Sequence, residues 1–279
     1  MKRYARSMKV TSSLQSIHPI TDDPIMKYAP SILAADKHES RSKGYTYVPT
    51  IQVIDRLRKE GFQPFYVAQS GTRDETRTDF TRHIVRLRHA DHIGKTDVNE
   101  VVLLNSHDGT SSYQMMAGVL NFVCANGLFI GDLVSNIRVP HRGNIVEGVI
   151  EGSYTILQEF EKVDQSKDEM KSITLSDYER RAFANSAMAL RYDQGDEPFE
   201  PSLLLSTRRM AQREPSLWNT FNVVQESLIR GGVPAKTKAG KRTTTRAMNN
   251  IPEATKLNQA LWMLAESMTG LKHKQLEAA

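Results

Sequence analysis

The 279-residue chain has one cysteine, Cys124, so no disulfide can close within it and a cysteine-based zinc site is excluded. That usage leads us to expect a reducing, cytoplasmic setting. No apolar run approaches the roughly 18 residues a membrane-spanning helix needs. The opening stretch MKRYARSMKVTSSLQSIHPI has bases but no continuous apolar segment behind them, so no secretory leader is expected. A Walker loop, a G-x-S-x-G elbow and a dinucleotide glycine fingerprint are all missing. These absences lead to the expectation of a non-enzymatic protein without a cofactor.

What is present describes a packed protein with a basic bias. Hydrophobic residues make up 39 % and charged residues 25 %, enough for a core and too balanced for wholesale disorder. The formal charge of +5, with a pI near 9.2, fits a partner carrying phosphates better than an acidic small substrate.

Residues 1–44 are polar, interrupted by Pro19, Pro24 and Pro30, and read as a flexible N-terminal arm. The dense pattern starts at Tyr45. PTIQVIDRLRKE (49–60) spaces Ile51, Ile54 and Leu57 as a helix, and Gly61 supplies the stop. Strands are expected at 62–70, 81–89 and 100–106, joined by polar connections as a meander. SSYQMMAGVLNFVCANG (111–127) reads as a returning helix, with Ser111 and Gln114 as a capping box. The expected class is therefore α+β: an antiparallel sheet packed on helices over residues 45–140, followed by a mostly helical region, 141–279. LFIGDLVSNIRVPH reads as one or two short strands. Helical patterns follow at 144–163, 174–192, 217–232 and 254–268, with Trp218, Phe221, Val224 and Leu228 on one stripe.

Chemistry concentrates in two basic elements. With a period of two, Arg82, Arg86 and Arg88 share a strand face with Ile84, and Arg73, Arg77 and Lys95 flank it in loops. Three guanidiniums in a row make a phosphate track, because each offers a planar fork to phosphate oxygens. The same residues, balanced by Asp74, Glu75, Asp79 and Asp91, also describe an ordinary solvated face. The second element is the acid-free stretch VPAKTKAGKRTTTRAMNN, carrying Lys236, Lys238, Lys241, Arg242 and Arg246, a composition that orders readily on a polyanion. Tyr45 and Tyr47 are candidates for stacking on unpaired bases.

The segment NSHDGTSSYQ offers Ser106, His107 and Thr110 as a phosphate-contacting turn, although Asp108-Gly109 already explains it as turn chemistry. His83, His89, Asp91, His92, His107 and Asp108 show no metal-ligand spacing, so no metal is expected. Cys124, among Phe122, Val123 and Leu128, reads as a buried structural thiol.

Several blocks resemble a known family. YTYVPTIQVIDRLRKEGFQPFYVAQSGTR, HIVRLRH, NSHDGTSSYQMMAGVLNFVCANGL and the segments LWNTFNVVQESLIRGG, TRAMNN and LNQALWMLAESM are similar to phage/plasmid-like proteins with an uncharacterised domain. The resemblance implies residence on prophages, plasmids or genomic islands and brings no activity. More distantly, Tyr47-Val48-Pro49, the helix, Gly61-Phe62, the meander and the returning helix resemble the core of the Rad/Redβ single-strand annealing superfamily. That likeness implies a homo-oligomer whose basic groove holds a single strand, with Arg73, Arg77, Arg82, Arg86 and Arg88 as groove residues. The expected function is single-stranded nucleic-acid binding of the annealing or recombination type, with DNA favoured. The alternative is an anti-defence or regulatory protein that binds a host protein through the stripe bearing Trp218 and Trp262.

Overall fold

The computed structural model describes residues 10–40, 46–90, 97–121, 126–130, 136–248 and 250–277. Two units divide the chain: residues 1–120 with 129–160 and 249–251, and residues 121–128 with 161–248 and 252–279.

The first unit is organised by an antiparallel sheet. Its elements are β1 (Val10–Gln15), α1 (Asp22–Tyr28), α2 (Thr50–Lys59), β2 (Phe62–Ser70), β3 (His83–His89), β4 (Asp97–Asn105) and β5 (Tyr113–Asn121), then β6 (Asn126–Ile130), which the division between the units crosses, and β7 (Asn136–Val139). Strand order is β1-β2-β3-β4-β5-β6, and β7 also pairs with β5. Helix α2 buries Thr50, Val53, Ile54 and Leu57, a face shifted by part of a turn from the expected one, so Ile51 is only half-buried. Pro64 lies inside β2 at a register shift against β3, where a missing N–H breaks no regular ladder. Ala68, Ile84, Val102, Leu104 and Met116 form one apolar cluster on the sheet, with Tyr66 packed against it.

Two expectations are corrected here. Residues 10–40 are not a flexible arm. Strand β1 pairs with β2 from Val10–Ser70 to Gln15–Tyr66, and Ile20, Ile25 and Ile32 are buried. Short polar strands carry little apolar periodicity, and β1, VTSSLQ, gains its stability from the neighbouring strand. The second correction concerns the returning helix expected at 111–127, where Tyr113–Asn121 form strand β5 instead. Tyr113, Met115, Met116, Ala117 and Val119 are all buried, and such a short apolar run fits a doubly covered strand as well as a helix. Gln114 Nε2 does donate to Ser111 Oγ at 3.1 Å, but from the start of β5 to the loop before it and not as a capping box. The element order behind the annealing-core likeness therefore does not hold at its last position.

Strands appear at β6 and β7, as LFIGDLVSNIRVPH implied. Cys124 lies outside the described residues. Helix α3 (Ile145–Ser172) follows as one continuous element, longer than its pattern indicated. It lies directly on the sheet at Gly152, where a Cβ would come within 2.3 Å of Met115 Cε and 3.2 Å of Ile137 Cγ2.

The second unit is helical. Helix α4 (Asp177–Arg191) opens on a capping box in which Ser176 N–H donates to Glu179 Oε2 at 2.7 Å. Helix α5 (Leu217–Arg230) is buried almost throughout from Leu217 to Leu228, and α6 spans Ile251–Glu277. Between them β8 (Pro234–Lys236) and β9 (Arg242–Thr244) form a two-stranded hairpin within the acid-free stretch, ordered here without a polyanion. The α5 stripe is core. Trp218 and Trp262 are 3 % and 1 % exposed, and their rings meet edge to face at 6.4 Å. Neither tryptophan is thus available to a host-protein interface in this fold. No helix among the described residues is long and apolar enough to cross a membrane.

Candidate functional site

Strand β3 places its arginines inside the protein. Arg86 and Arg88 are only 4 % and 3 % exposed, and both pair with Glu100, itself 1 % exposed, on the adjacent β4. Arg88 Nε donates to Glu100 Oε1 at 2.8 Å and its guanidinium lies 4.1 Å from the Phe65 ring centre. Arg86 also donates to the Val119 carbonyl. Period-two reading put these residues on one face correctly, but it carried no information on what covers that face. The open track of three guanidiniums is corrected accordingly: two of them form a buried charge cluster. Arg82 is half-buried and donates from Nη2 to the Thr110 carbonyl at 2.9 Å. Arg77 pairs with Asp74 at 3.2 Å, Arg73 is exposed, and Lys95 lies outside the described residues.

A buried polar network surrounds Thr50 at the start of α2. His83 Nδ1 lies 3.1 Å from the Thr81 carbonyl, which only accepts, so Nδ1 carries the proton and Nε2 accepts from Thr50 Oγ1 at 2.9 Å. Thr50 Oγ1 then accepts from His107 Nε2 (3.2 Å) and Asn105 Nδ2 (3.1 Å). The Tyr113 hydroxyl stands 3.2 Å away and gives its own proton to the Val48 carbonyl. Burial, partly opposed by the Thr81 hydrogen bond, pushes the His83 imidazole down to about 4. Burial and the neighbouring His83 and His141 push His107 down to about 2. Both rings are neutral near pH 7, and this network is a structural bolt joining α2 to β3, β4 and β5.

The turn read as a phosphate contact belongs to that bolt. Ser106 and His107 are fully buried. Ser106 Oγ accepts from Ser111 N–H at 2.8 Å, and Asp108 Oδ1 accepts from Thr110 N–H and Oγ1 at 3.0 and 2.6 Å. Turn chemistry accounts for Ser106, Asp108, Thr110 and Ser111, whereas Asn105 Oδ1 and His107 Nδ1 have no hydrogen-bond partner among the described residues. Among those residues no group of three or more His, Cys, Asp or Glu is placed to hold a metal. Tyr47 is half-buried, its ring 5.0 Å from His107 and its hydroxyl bound to the Ala34 carbonyl, and Tyr45 lies outside the described residues.

The hairpin of the second unit is different. Lys236, Lys238, Lys241, Arg242 and Arg246 are all exposed. Lys238 pairs with Asp196 at 2.7 Å, while the other four make no ion pair among the described residues. The turn closes through Gly240 N–H to the Thr237 carbonyl, with Gly240 at φ +76°. Its base is held by Gly232 N–H to Thr245 O at 2.8 Å and Thr245 N–H to Val233 O at 2.9 Å. Beside it a groove of about 1390 Å³ is lined by Tyr192, Phe199 and Pro198 together with Lys236, Lys238 and Arg242. Asp196 and Glu197 also line it, the first engaged by Lys238 and the second by the Gly195 N–H.

A further cluster escaped sequence reading. The buried Glu226 of α5 receives Arg209 through both oxygens (2.8 and 3.2 Å), Arg230 at 3.0 Å and Gln212 at 3.1 Å, with Arg208 at 3.6 Å. Burial opposes ionisation of Glu226, but hydrogen bonds from Arg209 and Gln212 and the charge of Arg209 prevail and hold its carboxyl below the usual range. The only hint in the sequence was the adjacent pair Arg208-Arg209, whose convergence with Arg230 depends on the fold.

Residues 37–262 match the family model described as Domain of unknown function (DUF932). The chain is 42 % identical over 268 residues to UPF0380 protein YfjQ of Escherichia coli (strain K12), covering 96 % of this chain and 98 % of the relative. It is 41 % identical, with the same coverage, to UPF0380 protein YafZ of the same organism. No solved structure matches.

Proposed function

The chain belongs to the DUF932 family, and on that premise we propose that it is a non-enzymatic, single-stranded nucleic-acid-binding protein serving a mobile genetic element. The observation that carries this reading is the β8–β9 hairpin. Lys236, Lys241 and Arg242 on the hairpin, with Arg246 just past β9, stand exposed without an acidic partner among the described residues. Such cations attract phosphates and release counterions, a grip that is independent of sequence and sensitive to salt. The preference for a single strand rests on the groove beside the hairpin. Tyr192 and Phe199 are half-buried there, with Lys236 and Arg242 alongside. An unpaired base stacks on a ring while its phosphate meets a cation, and a duplex keeps its base faces occupied.

Fluorescence anisotropy with a labelled oligothymidylate tests the proposal. At low salt the wild-type chain is expected to bind it more tightly than a duplex of equal length. The combined Lys236→Ala, Lys241→Ala, Arg242→Ala, Arg246→Ala variant is expected to bind about a hundredfold more weakly. No salt-sensitive binding by the wild type, or equal binding by the variant, would overturn it.

A further inference from the structure

We infer that Arg208, Arg209 and Arg230, gathered by Glu226, form a second phosphate-binding site at the base of the hairpin, resting on the nucleic-acid reading only for the source of the phosphate. The cluster joins three guanidiniums to one carboxylate, leaving two positive charges unmatched within it. Fastening the 201–213 segment to α5 would need only the two-pronged Arg209–Glu226 pair with Gln212 beside it. Arg208 and Arg230 exceed that need.

Their geometry leaves donors open. An arginine has five N–H groups. Arg230, with its side chain 58 % exposed, uses Nη1 on Glu226, and its Nη2 and Nε have no protein partner among the described residues. Arg208, 31 % exposed, directs Nη1 toward Glu226 and donates from Nη2 to the Gly231 carbonyl at 2.5 Å, leaving Nε. Glu226 holds Arg230 at Nη1, and Arg208 is held by Glu226 and the Gly231 carbonyl, so the remaining donors are positioned before any ligand arrives. Oriented guanidinium edges with excess positive charge suit the tetrahedral oxygens of a phosphate.

The site also adjoins the basic hairpin. Gly231, whose carbonyl holds Arg208, packs against the backbone of Arg246, so close that a Cβ there would lie 2.6 Å from the Arg246 carbonyl carbon. One strand laid along the hairpin would therefore meet Lys241 and Arg242 toward its tip and the arginine cluster toward its base.

The test uses the full chain and two probes, inorganic phosphate and labelled oligothymidylate. Phosphate is expected to shift the Nε–H resonances of Arg208 and Arg230 in 1H–15N spectra, assigned through their lysine variants. Arg230→Lys keeps the charge and loses the fork, and is expected to weaken oligothymidylate binding several-fold; Arg230→Gln is expected to weaken it about tenfold. Glu226→Gln adds a positive charge yet is expected to weaken binding, whereas diffuse attraction would strengthen it. If the oligonucleotide binds and both Arg230 variants match the wild type, the cluster is only a clamp and the inference falls while the hairpin reading stands. If phosphate shifts the two resonances but the oligonucleotide does not bind, the site stands and the nucleic-acid reading falls. Failure of both probes overturns both.

Discussion

His83 shows how a single residue ties this fold to pH. Its imidazole is fully buried, and burial pushes it down to about 4 in the folded chain, against about 6.5 when unfolded. Between those values the unfolded chain binds the proton that the folded chain refuses. Stability from His83 is therefore complete above about pH 6.5, declines as pH falls toward 4 and levels off below it, a loss of about 3 kcal/mol. His107 is shifted in the same direction and steepens the decline. Urea unfolding at pH 7.5, 5.5 and 4.5 should show a falling midpoint, and His83→Gln should flatten that trend. A wild-type midpoint independent of pH would mean that His83 is not held neutral. The residue scale also explains one limit of sequence reading. Arg86 and Arg88 have the same composition signature whether they face water or Glu100, and only the pairing of β3 with β4 decides between them.

At the scale of elements, strand β2 and helix α5 were legible because their local pattern and their environment agree. The aromatic and β-branched run Phe62–Ser70 is a strand with the expected bounds, and LWNTFNVVQESLIR is a buried helix ending at Gly231. Strand β5 was not legible, since Tyr113–Asn121 is apolar on successive residues and its partners β4 and β7 are what select an extended chain. Strand β1 failed for the opposite reason: it is too polar to announce itself, and β2 recruits it. The hairpin reads from sequence as basic, but its order comes from the contacts at its base. There Gly231 has φ +72°, a region that L side chains rarely adopt, and a Cβ would overlap the Arg246 backbone. Gly231→Ala is therefore expected to destabilise the second unit by about 2 kcal/mol through strain and displacement of the β9 leg. The same change should weaken oligothymidylate binding although every cation remains. Thermal unfolding and anisotropy on one preparation check both effects, and an alanine variant with wild-type melting and affinity would show that the hairpin base is not held this tightly.

Across the whole molecule the charge is modest, and its placement decides what it can do. The net charge is +5, yet the two arginines most suggestive in sequence are buried against Glu100 and contribute nothing at the surface. The cations free to meet a polyanion are Lys236, Lys241 and Arg242 on the hairpin and Arg246 just past β9. Each phosphate neutralised on a single strand contributes about −0.7 to the slope of log affinity against log salt. Four such contacts give a slope near −3, so that raising salt from about 50 to 200 mM should weaken oligothymidylate binding about fiftyfold. Replacing Lys241 and Arg242 by alanine should halve the slope to about −1.4, whereas replacing Arg86, which is buried, should leave the slope of any folded variant unchanged. Binding measured at four salt concentrations separates these cases. A slope insensitive to Lys241 and Arg242 would move the interface off the hairpin, and one that depended on Arg86 would require the sheet to open before it binds.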